Sequence, residues 1–391
     1  MNILIATYLT SASPSGVVTY YRTLSDDLTG AGVDVQTVDS TSTPIWWRKF
    51  LSVLKRIMRP LGNIFYVLYD EFAYFTGVYL STRRLRQTPF DLIHAQDVRS
   101  GVAASLALGW RVPVVLTCHF NDDPVLELVN NFKLKPGFTR RLRSWYTYLF
   151  SRIHNYIFVS EYAYEESKHL LPANIQKRII RNTVQINPRD LPGRPDDIAP
   201  DQVIISNVGY VDERKNQQLL LNIGYELMKR GISNFRLWFI GDGPKRAEYA
   251  MSAQQLGIGE RVQFFGQQST PWTFVAQSDL YVHTALNDNC PYSIVEAFAV
   301  GKPVLALPVG GVPEMLPEGL GLLWGADVQA LTDEVTRYFD VEARRQLAAT
   351  QAAYAAREFN NRLNWDALLS FYKQIIGQSV SVTTQPATHA L

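Results

Sequence analysis

The chain has 391 residues, 47% hydrophobic and 19% charged, a globular balance too long for one ordinary core and comfortable for two. A formal net charge of +2 gives no general pull toward nucleic acid. The two cysteines, Cys118 and Cys290, lie far apart and outside any CxxC spacing, which argues against a disulfide framework and against a zinc site.

In chain order, MNILIATYLT has no basic region and no long apolar run, so it reads as a buried strand and not as a signal peptide. No stretch reaches the roughly 18 apolar residues of a membrane span, and a cytoplasmic location is the expectation. Asn2 to Ala6 is a predicted strand, Ser15-Gly16 a turn, Val17 to Thr29 a helix ended by Gly30 and Gly32, and Val33 to Val38 a second strand. Leu92 to His94, Val114 to Cys118 and Tyr156 to Val159 continue the series. Short apolar runs alternating with helical patterns predict a parallel sheet with crossover helices.

The stretch INPRDLPGRPDDIAPD, with its four prolines, reads as a linker. Beyond it the pattern repeats. Val203 to Val208, Phe235 to Ile240, Val262 to Phe265, Leu280 to Thr284 and Pro303 to Leu307 are predicted strands, with helices over Asn216 to Arg230 and about Pro291 to Val300. The expected fold class is α/β, two doubly wound Rossmann-like domains facing a cleft, with ligands beyond the carboxyl ends of the strands. The expected boundaries are 1–190 for the first domain, 191–202 for a linker and 203–358 for the second domain. A final helix over 359–378 should cross back to the first domain, and 379–391 should form a flexible tail. Charge divides unevenly: residues 1–190 hold about 22 Lys/Arg against about 15 Asp/Glu, and the remainder about 16 against about 21.

The segment LNDNCPYSIVEAFAVGKPVLALPVGGVPEML carries the densest chemistry. A loop with Asp288 and Asn289 leads into a helix whose first turn suits Pro291, and whose first amides, near Tyr292 and Ser293, attract phosphate. Glu296 is placed to accept hydrogen bonds from sugar hydroxyls, and Gly310-Gly311 lets backbone approach a ligand. The plain alternative is an ordinary helix between two strands with Glu296 on a solvated face.

This segment resembles the donor signature of GT-B retaining glycosyltransferases of the family 4, or group 1, type. Glu296, Ala297, Gly301, Pro303, Val304, Gly310, Gly311 and Glu314 fit that pattern, and Asp288 stands where the family has its first glutamate. In VGYVDERKNQQLLL, Lys215 matches a lysine that contacts the donor diphosphate; Tyr210 replaces a common arginine, and Arg214 lies beside Lys215. FIGDGP matches a Gly-x-Gly-Pro turn at Gly241, and RVQFFGQ places Phe265 and Gly266 beside the base. In the first half, Gly16 of Pro14-Ser15-Gly16 falls on a glycine-rich loop. His94 and Gln96 fall on a His-x-His strand end, and His119 falls where a histidine faces the transferred sugar. Asn364 to Ile376 has the spacing of the family's returning helix.

The resemblance implies a UDP- or GDP-type nucleotide-sugar donor, a saccharide or lipid-linked saccharide acceptor, no cofactor and no metal, with a place in cell-surface polysaccharide synthesis. It makes His119, Lys215 and Asp288 the catalytic candidates. Two other classes stay open: a sugar-nucleotide epimerase of the same architecture, and a non-catalytic nucleotide-sugar-binding relative. A dehydrogenase is weakest, because no GxGxxG follows the first strand.

Residues 45–59 (IWWRKFLSVLKRIMR) place Trp46, Trp47, Phe50, Leu51, Val53, Leu54, Ile57 and Met58 on one helical face, with Arg48, Lys49, Lys55, Arg56 and Arg59 elsewhere. That pattern fits a helix on an anionic membrane at the inner face, and it equally fits a helix packed on the first sheet.

Overall fold

The computed structural model describes residues 1–13, 15–316 and 319–384. Pro14 of the expected glycine-rich loop therefore lies outside the described residues. The chain separates into two units: residues 1–180 together with the chain from Trp365 onward, and Arg181–Asn364.

The first unit runs β1 (Asn2–Ala6), α1 (Gly16–Gly30), β2 (Asp34–Val38), α2 (Ile45–Met58), α3 (Asn63–Arg83), β3 (Leu92–Ala95), α4 (Val98–Ala107), β4 (Val114–Cys118), α5 (Pro124–Phe132), α6 (Pro136–Phe150), β5 (Asn155–Phe158), α7 (Glu161–Ser167) and β6 (Gln176–Ile179). Its six strands are parallel in the order β2-β1-β3-β4-β5-β6. The central strands are buried on both faces, so LIHA and VVLTC read as continuous apolar runs. Strand β6, sequence QKRI, has no such run; it sits at the edge, and sequence reading missed it.

The second unit runs β7 (Val203–Val208), α8 (Gln217–Lys229), β8 (Phe235–Ile240), α9 (Arg246–Gln255), β9 (Val262–Gly266), α10 (Trp272–Gln277), β10 (Leu280–His283), α11 (Tyr292–Ala299), β11 (Val304–Ala306), α12 (Val328–Thr336) and α13 (Val341–Glu358). Its five parallel strands lie in the order β11-β10-β7-β8-β9.

Three expectations shift. The proline-rich stretch is part of the second unit, because Arg194 fastens it: its guanidinium meets Asp279 Oδ2 at 2.7 Å and donates to Gln202 O at 2.5 Å. The last helix, α14 (Asn361–Thr384), is longer than 359–378 predicts. It is anchored by buried Phe371, Tyr372 and Ile375, and once docked it propagates at one hydrogen bond per residue, so 379–384 are helical; 385–391 lie outside the described residues. Helix α2 does not pack on the sheet. It lies on α3, where Leu51 meets Tyr69 and Ala73, and Trp47 Nε1 donates to Thr76 Oγ1 at 3.1 Å.

Candidate functional site

In the second sheet the strand order reverses between β7 and β10, and the loops that follow these two strands diverge from a common crevice. Asn207 on β7 ties the pair, donating through Nδ2 to Val282 O at 2.7 Å. The loops are then zipped together. Leu286 N donates to Arg214 O at 2.8 Å, Thr284 Oγ1 to Lys215 O at 2.9 Å, and Arg214 Nη1 to Asn287 O at 3.0 Å. At the far end of this zipper the Lys215 ammonium is ion-paired with Asp288 Oδ2.

Asp288 is buried, and its Oδ2 also accepts from His283 Nε2 at 3.1 Å. A carboxylate only accepts, so His283 carries its proton on Nε2, and its Nδ1 accepts from the Tyr281 hydroxyl at 3.1 Å. Burial alone would raise the Asp288 pKa, but the Lys215 charge and the His283 hydrogen bond hold it well below the ordinary carboxylate range. Burial lowers His283 against the opposing pull of Asp288, which keeps the imidazole neutral. Sequence reading missed Tyr281 and His283, because inside DLYVHTALND they are indistinguishable from strand residues.

Glu296 lies on α11, and the structure corrects the solvated-face alternative. The residue is only 9% exposed, and its carboxyl has no hydrogen-bond or ion-pair partner among the described residues. Burial lifts its pKa from 4.5 to about 8. The Tyr281 hydroxyl, hydrogen-bonded to Ser293, feels both Asp288 and Glu296, which places the two carboxyls in one neighbourhood. Pro291 is a second correction. It occupies the cap position, outside the first turn, with extended ψ of 126°, and has no side-chain acceptor to offer the helix.

Two glycines make the convergence of loops possible. Gly310 has φ of +55°, and a Cβ there would stand 2.0 Å from Asp288 O. Its neighbour Gly311 donates to that same carbonyl at 3.0 Å. At Gly241 a Cβ would stand 1.9 Å from Gly209 O, so the loops after β7 and β8 touch backbone to backbone. The carbonyls of Phe265 and Gly266 already accept from Gln268 Nε2 and Gly241 N, each at 2.8 Å. Glu314 sits in a short turn after Gly311, with Arg181 at 3.8 Å.

The first unit has its own cluster at the carboxyl ends of β3 and β4. His119 Nε2 lies 2.9 Å from Gln96 Oε1, and its ring meets the Tyr20 ring edge-on at 4.7 Å. Burial of most of the ring lowers its pKa to about 3, so His119 is neutral. Gln96 Nε2 is buried without a hydrogen-bond partner among the described residues. His94 is interior: Nε2 meets Thr117 Oγ1 at 2.6 Å and Nδ1 pairs with the Tyr372 hydroxyl. Gly16 begins α1, capped by Ser15 Oγ, which accepts from Val17 N at 3.3 Å. Among the described residues no three His, Cys, Asp or Glu side chains gather as a metal site.

With this geometry in place, residues 194–357 match the family model Glycosyl transferases group 1, and residues 14–187 match the model Glycosyltransferase Family 4. The chain belongs to the group 1 glycosyltransferases. The chain is 29% identical over 202 residues to EpsF of Bacillus subtilis (strain 168), covering 52% of this chain and 50% of that one. It is 26% identical over 199 residues to the lipopolysaccharide core biosynthesis glycosyltransferase LpsD of Rhizobium meliloti (strain 1021), covering 50% and 56%. The matches thus span about half the length of these relatives. Among solved structures, Anabaena HepE in complex with UDP aligns with a TM-score of 0.66 at 19% identity, covering 97% of this chain and 100% of that one. Sucrose-phosphate synthase from Thermosynechococcus elongatus aligns at 0.72 and 19% identity, covering 96% and 99%. The likeness is one of fold: two Rossmann-like domains of GT-B type.

Proposed function

We propose that this protein transfers a sugar, with retention at the anomeric carbon, from a UDP- or GDP-type nucleotide diphosphate to a saccharide or lipid-linked saccharide. The setting is cell-surface polysaccharide synthesis at the cytoplasmic face of a membrane. The observation that carries this reading is Glu296, a buried carboxyl without a hydrogen-bond or ion-pair partner among the described residues. Left alone, such a group is costly in its charged form. A ring of sugar hydroxyls supplies the donors it lacks, and each hydroxyl bond favours the carboxylate.

Lys215 supplies the second element. Negative charge builds on the diphosphate as the glycosidic bond breaks, and a cation already held in place stabilises it without reorganising. Asp288, a methylene shorter than the family's glutamate, holds Lys215 and is itself fixed by His283. Arg214, Gly241, Phe265, Gly266, Asn289, Pro291, Tyr292, Ser293, Gly310 and Gly311 would line the donor. The acceptor oxygen attacks from the side of the leaving group, forming the new bond to the anomeric carbon as the bond to the phosphate oxygen breaks. That phosphate oxygen takes the acceptor proton. No metal is called for, since Lys215 provides the charge.

The test is a thermal-shift comparison of nucleotide with nucleotide sugar. A ligand that binds only the folded state raises the melting temperature. UDP or GDP should shift wild type and Glu296→Gln alike, and the sugar nucleotide should add a further shift in wild type only. An equal further shift in the variant refutes the sugar-binding role of Glu296. Conversion of the donor sugar with no acceptor present would indicate epimerisation instead.

A further inference from the structure

The structure splits the apolar face of α2 in two. Trp47, Leu51, Leu54 and Met58 turn onto α3, around buried Tyr69 and Ala73. Trp46, Phe50, Val53 and Ile57, spaced by four, three and four residues, form a separate stripe facing solvent, with Val53 60% exposed and Trp46 58%. Helix α3 extends this stripe with exposed Phe65 and Phe72. The rings connect: Trp47 stacks on Phe50 at 4.8 Å and lies 5.9 Å from Phe72. A contiguous patch of this kind marks an interaction surface.

Its surroundings say what kind. From Pro44 to Tyr69 the chain has five Lys/Arg and no Asp or Glu. Arg48, Lys49, Lys55, Arg56 and Arg59 are all exposed, and none is paired with a carboxylate among the described residues. On the helical wheel Lys49 and Arg56 border the exposed stripe on the side away from α3. The first acids beyond, Asp70 and Glu71, turn inward toward Arg99, which holds Glu71 at 2.8 Å. A protein partner of ordinary composition would need its own acidic rim; a bilayer with anionic headgroups over an apolar interior matches both the stripe and its basic border. No helix among the described residues is long and apolar enough to cross a membrane, so the attachment would be peripheral.

We propose that the α2–α3 hairpin of the first unit is an anionic-membrane docking surface, with Trp46, Phe50, Val53 and Ile57 entering the headgroup boundary and Lys49 and Arg56 lying on its charged face. The surface stands on its own geometry; only its use in presenting a lipid-linked acceptor rests on the function proposed above.

The test is co-sedimentation of the full chain with vesicles of phosphatidylcholine alone and of phosphatidylcholine with phosphatidylglycerol, at low and high salt, with no donor or acceptor present. Wild type should partition to the anionic vesicles, and raised salt should weaken it. The triple variant Trp46→Ser, Phe50→Ser, Ile57→Ser should lose about tenfold or more in partitioning. Lys49→Glu with Arg56→Glu, both at exposed positions without a carboxylate partner among the described residues, should lose about tenfold on anionic vesicles alone. Wild type that ignores anionic vesicles, or binds neutral ones equally well, overturns the proposal. So does a wild-type dimer in sedimentation equilibrium that the triple variant makes monomeric without any vesicle binding, since the occupant is then a second copy. Nucleotide thermal shifts should be unchanged in both variants, which separates this result from the donor-site reading.

Discussion

Replacing Glu296 by Gln should make the unliganded protein more stable, and increasingly so as pH rises. The native carboxyl, lifted by burial from 4.5 to about 8, keeps its proton where the unfolded one has lost it. The folded state therefore binds more protons between those values, and stability falls as pH rises through that window. From about pH 5 to about pH 8 this single group removes roughly 3–4 kcal/mol from wild type, and nothing from the amide variant. For a unit of this size the gap between the two proteins should widen by on the order of 10 °C in melting temperature. The assay is calorimetry of both proteins without ligand across that range; all other titrating groups are common to the pair and cancel. Curves that stay parallel from acid to alkaline pH would mean that burial does not hold the carboxyl protonated and that it has no need of a ligand's hydroxyls. The same linkage predicts that binding of the sugar nucleotide expels a proton below about pH 8, measurable as a buffer-dependent heat.

Lys215→Ala should leave Asp288 buried with only His283 beside it and cost about 3–5 kcal/mol by denaturant melts, while transfer falls about a hundredfold or more. Adding Asp288→Asn should restore most of that stability and none of the transfer, which separates charge balance from chemistry. Gly310→Ala must place a methyl 2.0 Å from Asp288 O at a positive φ, so it should destabilise by about 1–3 kcal/mol or more and weaken donor binding; an unchanged melt would refute the close approach. Tyr372→Phe should cost about 1–3 kcal/mol by stranding His94 Nδ1, with donor affinity untouched.

Much of the fold was legible because its strands are buried on both faces. Val203–Val208 and Phe235–Ile240 stand where their unbroken apolar runs place them. Strand β6 was not legible, since QKRI at a sheet edge carries no apolar signal. The Lys215 and Asp288 loops could be picked out by motif, but their ion pair could not, because it depends on β10 lying beside β7 across a strand-order reversal. The isolation of Glu296 was likewise invisible, as no pattern tells a carboxyl in a crevice from one on a solvated helix face. On α2 the eight apolar residues read as one face; only the position of α3 divides them.

Helix α14 brings the chain's late residues into the core of its first unit, where Tyr372 is fully buried against His94. On the ribosome the first six strands therefore emerge long before the helix that completes their unit. The whole second unit must be synthesised, and is free to fold, while the first waits with His94 Nδ1 unpaired. The order of completion during synthesis is the reverse of the order in sequence.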